Sequence, residues 1–183
     1  MKLVRDYTKI EMTRLTRTLC AGFFLVITEA FACSCIGGKR TVREEIKNSD
    51  AVIVGEIISK ELVTITDSTL LGLFNNDSLS TKGFPYEISI AKYQLILSAK
   101  YKGKISKDTI EIYTGVGGGD CGVNFEVGKD YVIYGTNRTY FGQDNNDWPF
   151  PKGKNILWTD ICSRTTLENQ QEIAEIEHFR KKR

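Results

Sequence analysis

Tyr86-Glu87-Ile88-Ser89-Ile90-Ala91-Lys92-Tyr93-Gln94-Leu95-Ile96-Leu97-Ser98-Ala99 is the stretch that decides the fold. Its β-branched and aromatic residues alternate with polar ones, which reads as a long β-strand. Ile88 and Ile90 share one parity, whereas Tyr93, Leu95 and Leu97 share the other, so the apolar face changes near Ala91-Lys92. Side chains alternate with a period of two, and a change of phase is what a strongly coiled strand turning a barrel corner needs.

Upstream, Ala51-Val52-Ile53-Val54-Gly55-Glu56-Ile57-Ile58 reads as another strand, broken by one glycine where a bend or bulge would sit. A short helix over Thr41–Lys47 leads into it. Residues 59–85 are rich in Thr, Ser, Asn, Asp and Gly and read as a loop or hairpin extension. Downstream, Tyr101–Lys104 is a turn, and Thr109–Tyr113, Tyr131–Tyr134 and Ile156–Trp158 are three further strands. The pattern Thr165-Thr166-Leu167-Glu168 resembles a capping box opening a helix over about 166–181, with Ile173, Ile176 and Phe179 on one face. Arg180–Arg183 supplies cations suited to a helix C-terminus. The expectation is a mainly β fold: a small five-stranded closed barrel carrying a C-terminal α-helix and a short N-terminal one.

The composition of the 183 residues, 41% hydrophobic and 26% charged, is that of a globular chain and excludes disorder, collagen-like repeats and a coiled coil. Residues 1–32 hold five of the 25 basic residues and three of the 23 acidic ones, leaving 20 against 20 in the remainder. A neutral body argues against a nucleic-acid partner bound through its phosphates. The basic start, the apolar run Leu19–Ile27 and the triplet Ala30-Phe31-Ala32 form a cleavable secretory signal, cut between Ala32 and Cys33. Met12 is an alternative start and leaves that site unchanged. The run is shorter than the ~20 apolar residues of a spanning helix. The expected organisation is a signal peptide over 1–32 and a single domain over 33–183, its barrel ending near 163. The location is secreted, periplasmic or cell-surface. Membrane attachment would require a lipid on Cys33, and Ala30 and Phe31 stand where a lipidation signal usually has Leu and a small residue.

Removing the signal discards Cys20 and leaves Cys33, Cys35, Cys121 and Cys162, which in an oxidising compartment reads as two disulfides. A Cys33–Cys35 bridge would close a tiny ring and cross-link almost nothing. In the two remaining pairings the loops span about 90 and 130 residues, and in the chain-entropy model each closure contributes a few kcal/mol. Either pairing would pin an N-terminus that normally frays.

Catalytic apparatus is scarce. The single histidine, His178, lies on the charged C-terminal helix, so a histidine zinc site or a Ser-His-Asp triad has no raw material. Gly115-Val116-Gly117-Gly118-Gly119 lacks the Lys-Ser/Thr of a phosphate cradle and reads as a mobile loop beside a disulfide. Cys33-Ser34-Cys35 as a redox dithiol, and the four cysteines as a zinc site, are weaker readings once distant partners are available. Asn76 and Asn137 sit in glycosylation sequons.

The ordered set Cys33-Ser34-Cys35, Ser49-Asp50-Ala51-Val52-Ile53-Val54-Gly55, Lys100-Tyr101-Lys102-Gly103, Asp120-Cys121-Gly122-Val123-Asn124-Phe125 and Ile161-Cys162-Ser163 resembles the inhibitory domain of the tissue inhibitors of metalloproteinases. Order and rough spacing agree along most of residues 33–165, and Cys-x-Cys directly after a signal cleavage site is the sharpest element. The wider grouping is the netrin-like module, a five-stranded OB-type barrel. The family's third disulfide and the cysteine-rich subdomain of its animal members have no counterpart here, so the likeness is to a bacterial-type relative.

The resemblance implies bridges Cys33–Cys121 and Cys35–Cys162. It further implies that the free amine and carbonyl of Cys33 chelate a metalloproteinase's zinc and that Ser34 enters its specificity pocket. Cys35 and the loop Gly118-Gly119-Asp120-Cys121 would touch the protease beside it. An α-amine with a pKa near ~7.7–8.0 can lose its proton to zinc near neutral pH, and a catalytic zinc keeps an open position for it. No cofactor or intrinsic metal and no catalytic residue is implied, and the expected partner is a zinc metalloproteinase met by a monomer. The alternative is a non-inhibitory netrin-like module that binds another extracytoplasmic protein or a glycan.

Overall fold

The computed structural model describes residues 35, 38–67, 86–117, 119–139, 141 and 149–181, all within one compact unit, Ala32–Arg183. The expected signal segment 1–32 and the Asn76 sequon lie outside the described residues. Among the described residues no helix is long and apolar enough to cross a membrane.

Helix α1, Val42–Asn48, starts at a reciprocal cap: the Thr41 hydroxyl accepts from the Glu44 amide at 3.3 Å, and the Glu44 carboxylate accepts from the Thr41 amide at 2.9 Å. Strands β1, Ala51–Asp67, and β2, Tyr86–Lys102, form a long antiparallel ladder, followed by β3, Thr109–Gly115, and β4, Asp130–Gly135. The chain continues through β5, Ile156–Trp158, and β6, Thr166–Leu167, to helix α2, Gln170–Lys181. The fold is mainly β, with one six-stranded sheet in the order β5-β3-β2-β1-β4-β6.

Of the two readings of residues 59–67, loop or hairpin extension, the structure shows the extension: they continue β1 in register with β2, and Val63 and Ile65 pack with Ile88, Ile90 and Trp158 in an apolar cluster. Two expectations change. The sheet is not closed, so a closed five-stranded barrel is not shown, and a sixth strand is present. The β4 and β5 sides meet at one pair, where Thr136 and Trp158 exchange backbone hydrogen bonds of 2.9 and 2.8 Å. The Thr165–Glu168 pattern does not cap a helix. Thr166 and Leu167 pair with Val132 and Tyr131 as β6, and the cap of α2 is Asn169, whose Oδ1 accepts from the Glu172 amide at 2.8 Å. Helix α2 therefore begins at Gln170 rather than near 166.

The apolar phase change in β2 is real, with Ile90 and Ala91 both buried in succession. Its cause is a change of cover rather than a bulge, since β2 stays in register with β1 and β3 across Ala91-Lys92. Ile88 and Ile90 face the Trp158 cluster, whereas Ala91, Tyr93 and Leu95 face the main core with Ile53, Ile57, Ile112 and Ile133. The irregularities lie elsewhere: the register leaves Ile58 unpaired on β1, and Ser98 and Tyr101 unpaired on β2. Between these bulges Gly55 is pressed against β2, and a Cβ there would lie 2.1 Å from the Ile96 carbonyl oxygen. The opposite face of β1 and β4 carries Val52, Val54, Val132 and Tyr134, which pack under α1 and α2 through Val42 and Ile176.

Candidate functional site

Strands β3 and β5 pair in parallel, so the loops that follow them leave the same end of the sheet. The first loop, after Gly115, is organised by Asp120. Its carboxylate accepts backbone hydrogen bonds from Val116 at 2.6 Å, Gly117 at 2.8 Å and Gly122 at 3.0 Å. The chain folds back so closely that a Cβ on Gly115 would lie 2.4 Å from the Asp120 carboxyl carbon, and one on Gly122 would lie 2.2 Å from the Gly115 carbonyl oxygen. Gly117 and Gly119 take positive φ, as does Cys121 at 61°, the non-glycine residue with that conformation among the described residues. A segment read as a mobile loop is thus tied down by one carboxylate.

The second loop, after Trp158, uses the same device. Asp160 Oδ1 accepts from the amides of Cys162 at 2.8 Å and Ser163 at 2.9 Å. The Thr159 hydroxyl is buried among the Tyr134 carbonyl at 3.2 Å, the Ser163 hydroxyl at 2.9 Å and the Thr165 hydroxyl at 2.7 Å. The two loops are then joined to each other and to the sheet. The Ile161 amide donates to the Cys121 carbonyl at 2.9 Å, the Thr159 amide to the Tyr113 carbonyl at 3.1 Å, and the Val123 amide to the Thr114 hydroxyl at 2.9 Å.

Cys35 is bonded to Cys162, with Cα atoms 5.3 Å apart. This excludes the pairing of Cys35 with Cys121, and it leaves Cys35 no role as half of a dithiol with Cys33. Cys121 is itself in a disulfide. Cys33, Ser34 and Gly118 lie outside the described residues, so the expected Cys33–Cys121 bridge and the expected zinc-chelating amine do too. The structure does bring Cys35, Gly119, Asp120, Cys121 and Cys162 into one ridge. Exposed Val116 and Ile161, 43% and 42% accessible, are held in it by their amide bonds to Asp120 and Cys121.

Asp160, Thr114, Val116 and Ile161 are parts of this ridge that sequence reasoning missed. An aspartate two residues before a cysteine in a loop was an available signal for the Asp160 turn. The pairing of Thr114 with Val123 depends on the fold and had none. His178 is exposed on α2, and Asn137 is exposed just after β4 with its backbone amide donating to the Asp50 carboxylate at 2.7 Å. Among the described residues no group of three or more His, Cys, Asp and Glu side chains is placed to hold a metal ion.

No family model matches the chain, and no curated protein matches it.

Proposed function

We propose that the protein is an exported inhibitor of zinc metalloproteinases, of the type its sequence resembles, and is not itself an enzyme. In this reading the signal segment is removed, Cys33 becomes the mature N-terminus, and a Cys33–Cys121 bridge fixes it against the loop after β3. The amine and carbonyl of Cys33 then fill the open position of the protease's zinc, and Ser34 enters the adjoining pocket.

The observation that carries the reading is the Cys35–Cys162 bridge onto a pair of aspartate-tied loops. It anchors the segment two residues beyond Cys33 beside Gly119, Asp120 and Cys121. A binding segment fixed before contact loses little further freedom on association. Val116 and Ile161 supply exposed apolar area on that ridge, as a protein interface core requires. The backbone bridge between Thr136 and Trp158 supports the finer architectural reading, an OB-type barrel of the netrin-like kind that closes between the β4 and β5 sides.

The experiment titrates the chain beginning at Cys33 against a panel of zinc metalloproteinases, in parallel with a chain carrying one added Ala before Cys33. Inhibition by the first and its loss in the second is the expected result. Equal inhibition by both would overturn chelation by the amine. Inactivity of a correctly bridged Cys33 chain against the whole panel would favour the alternative, a non-inhibitory extracytoplasmic binding module.

A further inference from the structure

The cationic groove under the two helices is independent of the inhibitory ridge. Helices α1 and α2 cover one face of the sheet but leave between them, over β1 and β2, a groove of about 400 Å³. Its apolar lining is Ile46, Val52, Tyr101, Ile176 and Phe179, with Val52 and Ile176 fully buried at the back. The rest of the lining is Arg43, Lys47, Lys102 and Arg180, without a carboxylate.

The four cations are not equivalent. Lys102 Nζ donates to the carbonyls of Ile46 at 2.6 Å, of Lys47 at 3.2 Å and of Ser49, so its charge closes the C-terminus of α1. Arg43, Lys47 and Arg180 make no hydrogen bond or ion pair with another side chain among the described residues. Carboxylates do act nearby, Glu44 toward Lys47 and Glu168 and Glu177 toward Tyr101, but none lines the groove. An apolar trough with three cations at its rim that no side chain among the described residues bonds is complementary to a ligand with an apolar body and an anionic end.

Size selects among such ligands. The volume falls within the range of small-molecule sites, roughly 300–1,000 Å³. Helix α1 has seven residues, a wall of about 10 Å at ~1.5 Å per residue, too short to bury several turns of a partner helix. We propose that the groove binds a single-chain anionic amphiphile of the fatty-acid class. Its alkyl chain lies on Ile46, Tyr101, Ile176 and Phe179, and its carboxylate meets Arg43, Lys47 and Arg180. Guanidinium groups favour this end of the ligand because they meet a carboxylate with two parallel hydrogen bonds.

The test is calorimetric titration of the full chain with decanoate, decanol and decyltrimethylammonium, each below its micellar concentration. Saturable one-to-one binding of decanoate is expected, at least tenfold tighter than decanol and with no binding of the cation. The double variant Arg43→Ser, Arg180→Ser should weaken decanoate at least tenfold, leave decanol unchanged and keep the parent melting temperature. Equal affinity for decanoate and decanol, an unaffected double variant, or no saturable decanoate binding would each overturn the proposal. So would binding confined to vesicles of an anionic phospholipid, which would assign the cations to a membrane surface.

Discussion

Tyr134, on β4, donates its hydroxyl hydrogen to Glu172 in the first turn of α2 at 2.7 Å, and both residues are buried. The same carboxylate accepts from Arg164 Nε at 2.8 Å and from its Nη2, while Arg164 Nη1 donates to the Arg40 carbonyl at 2.9 Å. Arg40 in turn reaches Glu45 at 3.2 Å. Sheet, C-terminal helix and the entry to α1 are thus joined by one polar chain beneath which the apolar face of β1 and β4 is sealed. Burial alone would raise the Glu172 pKa, but the hydrogen bonds from Arg164 and Tyr134 and the charges of Arg164 and Lys39 together hold it below the ordinary value. Burial, then the Glu172 carboxylate, pushes the Tyr134 phenol far up, so it remains a donor.

Glu172→Gln should therefore cost about 2 kcal/mol near neutral pH, because the half-buried Arg164 guanidinium loses the charge of its hydrogen-bonded partner. A carboxyl whose folded pKa is depressed contributes stability above its unfolded value, ~4.3, and loses it as pH falls through the folded value. The gap between parent and variant in urea denaturation should accordingly be wide at pH 7 and narrow at pH 3. Glu45 has the opposite sign. Burial raises its pKa despite the Arg40 contact, so its contribution to stability improves as pH falls through the raised value. A gap independent of pH would show that Arg164 does not hold Glu172 ionised.

Gly55→Ala should cost several kcal/mol, because the new methyl group would lie 2.1 Å from the Ile96 carbonyl oxygen and 2.5 Å from Leu95 Cδ2. The backbone of β2 must move, and β1 is held on its other side by β4. Thermal unfolding should show a melting temperature lower by on the order of 10 °C. A shift under a few degrees would mean that the bulges on β2 yield freely.

Tyr93→Phe should leave stability unchanged or raise it by about 1 kcal/mol. The hydroxyl of Tyr93 is buried with no hydrogen-bond partner among the described residues. The ring itself contacts Phe125 edge-on at 4.9 Å and lies under Lys60 Nζ at 5.5 Å, and Phe keeps both contacts. Chemical denaturation of the two proteins decides it, and a loss above about 1 kcal/mol would mean that the hydroxyl has a partner.

What was legible in the sequence follows from how local each signal is. Helix α1 was readable to within a residue at each end, Thr41–Lys47 against Val42–Asn48, and the step at its start is Thr41 serving as the cap with Glu44 rather than as the first helical residue. The strands β2 to β5 were readable from alternation and β-branching. The α2 cap was misplaced because Thr165-Thr166-Leu167-Glu168 carries the local pattern, while β4 captures Thr166 and Leu167 as a strand and passes the cap to Asn169. The second half of β1 was left between hairpin extension and loop because its Thr- and charge-rich sequence is exposed except toward Trp158, a residue about a hundred positions away. In the candidate site the cysteines and Asp120 were legible as residues. Their joining through Ile161 and Cys121 was not, since it depends on β3 and β5 running parallel.

Asp120→Ala tests whether that ridge is held by the carboxylate or by its bridges alone. The side chain satisfies three amides, and hydrogen bonds to a charged group contribute about 1.5–3 kcal/mol each before the loop relaxes. Much of that loss should stay local, because the β3 and β5 ladders and the Cys35–Cys162 bridge do not pass through Asp120. Hydrogen exchange at the Val116, Gly117 and Gly122 amides should accelerate by at least tenfold, while the amides of Ile112 and Ile133 in the main core keep their protection. The Ile161 amide is the informative one. It donates to Cys121 rather than to Asp120, so its acceleration would show that Asp120 positions both loops, and its continued protection would confine Asp120 to the first. If none of the four loop amides responds, the Gly115 and Gly122 backbones pack closely enough to hold the turn unaided.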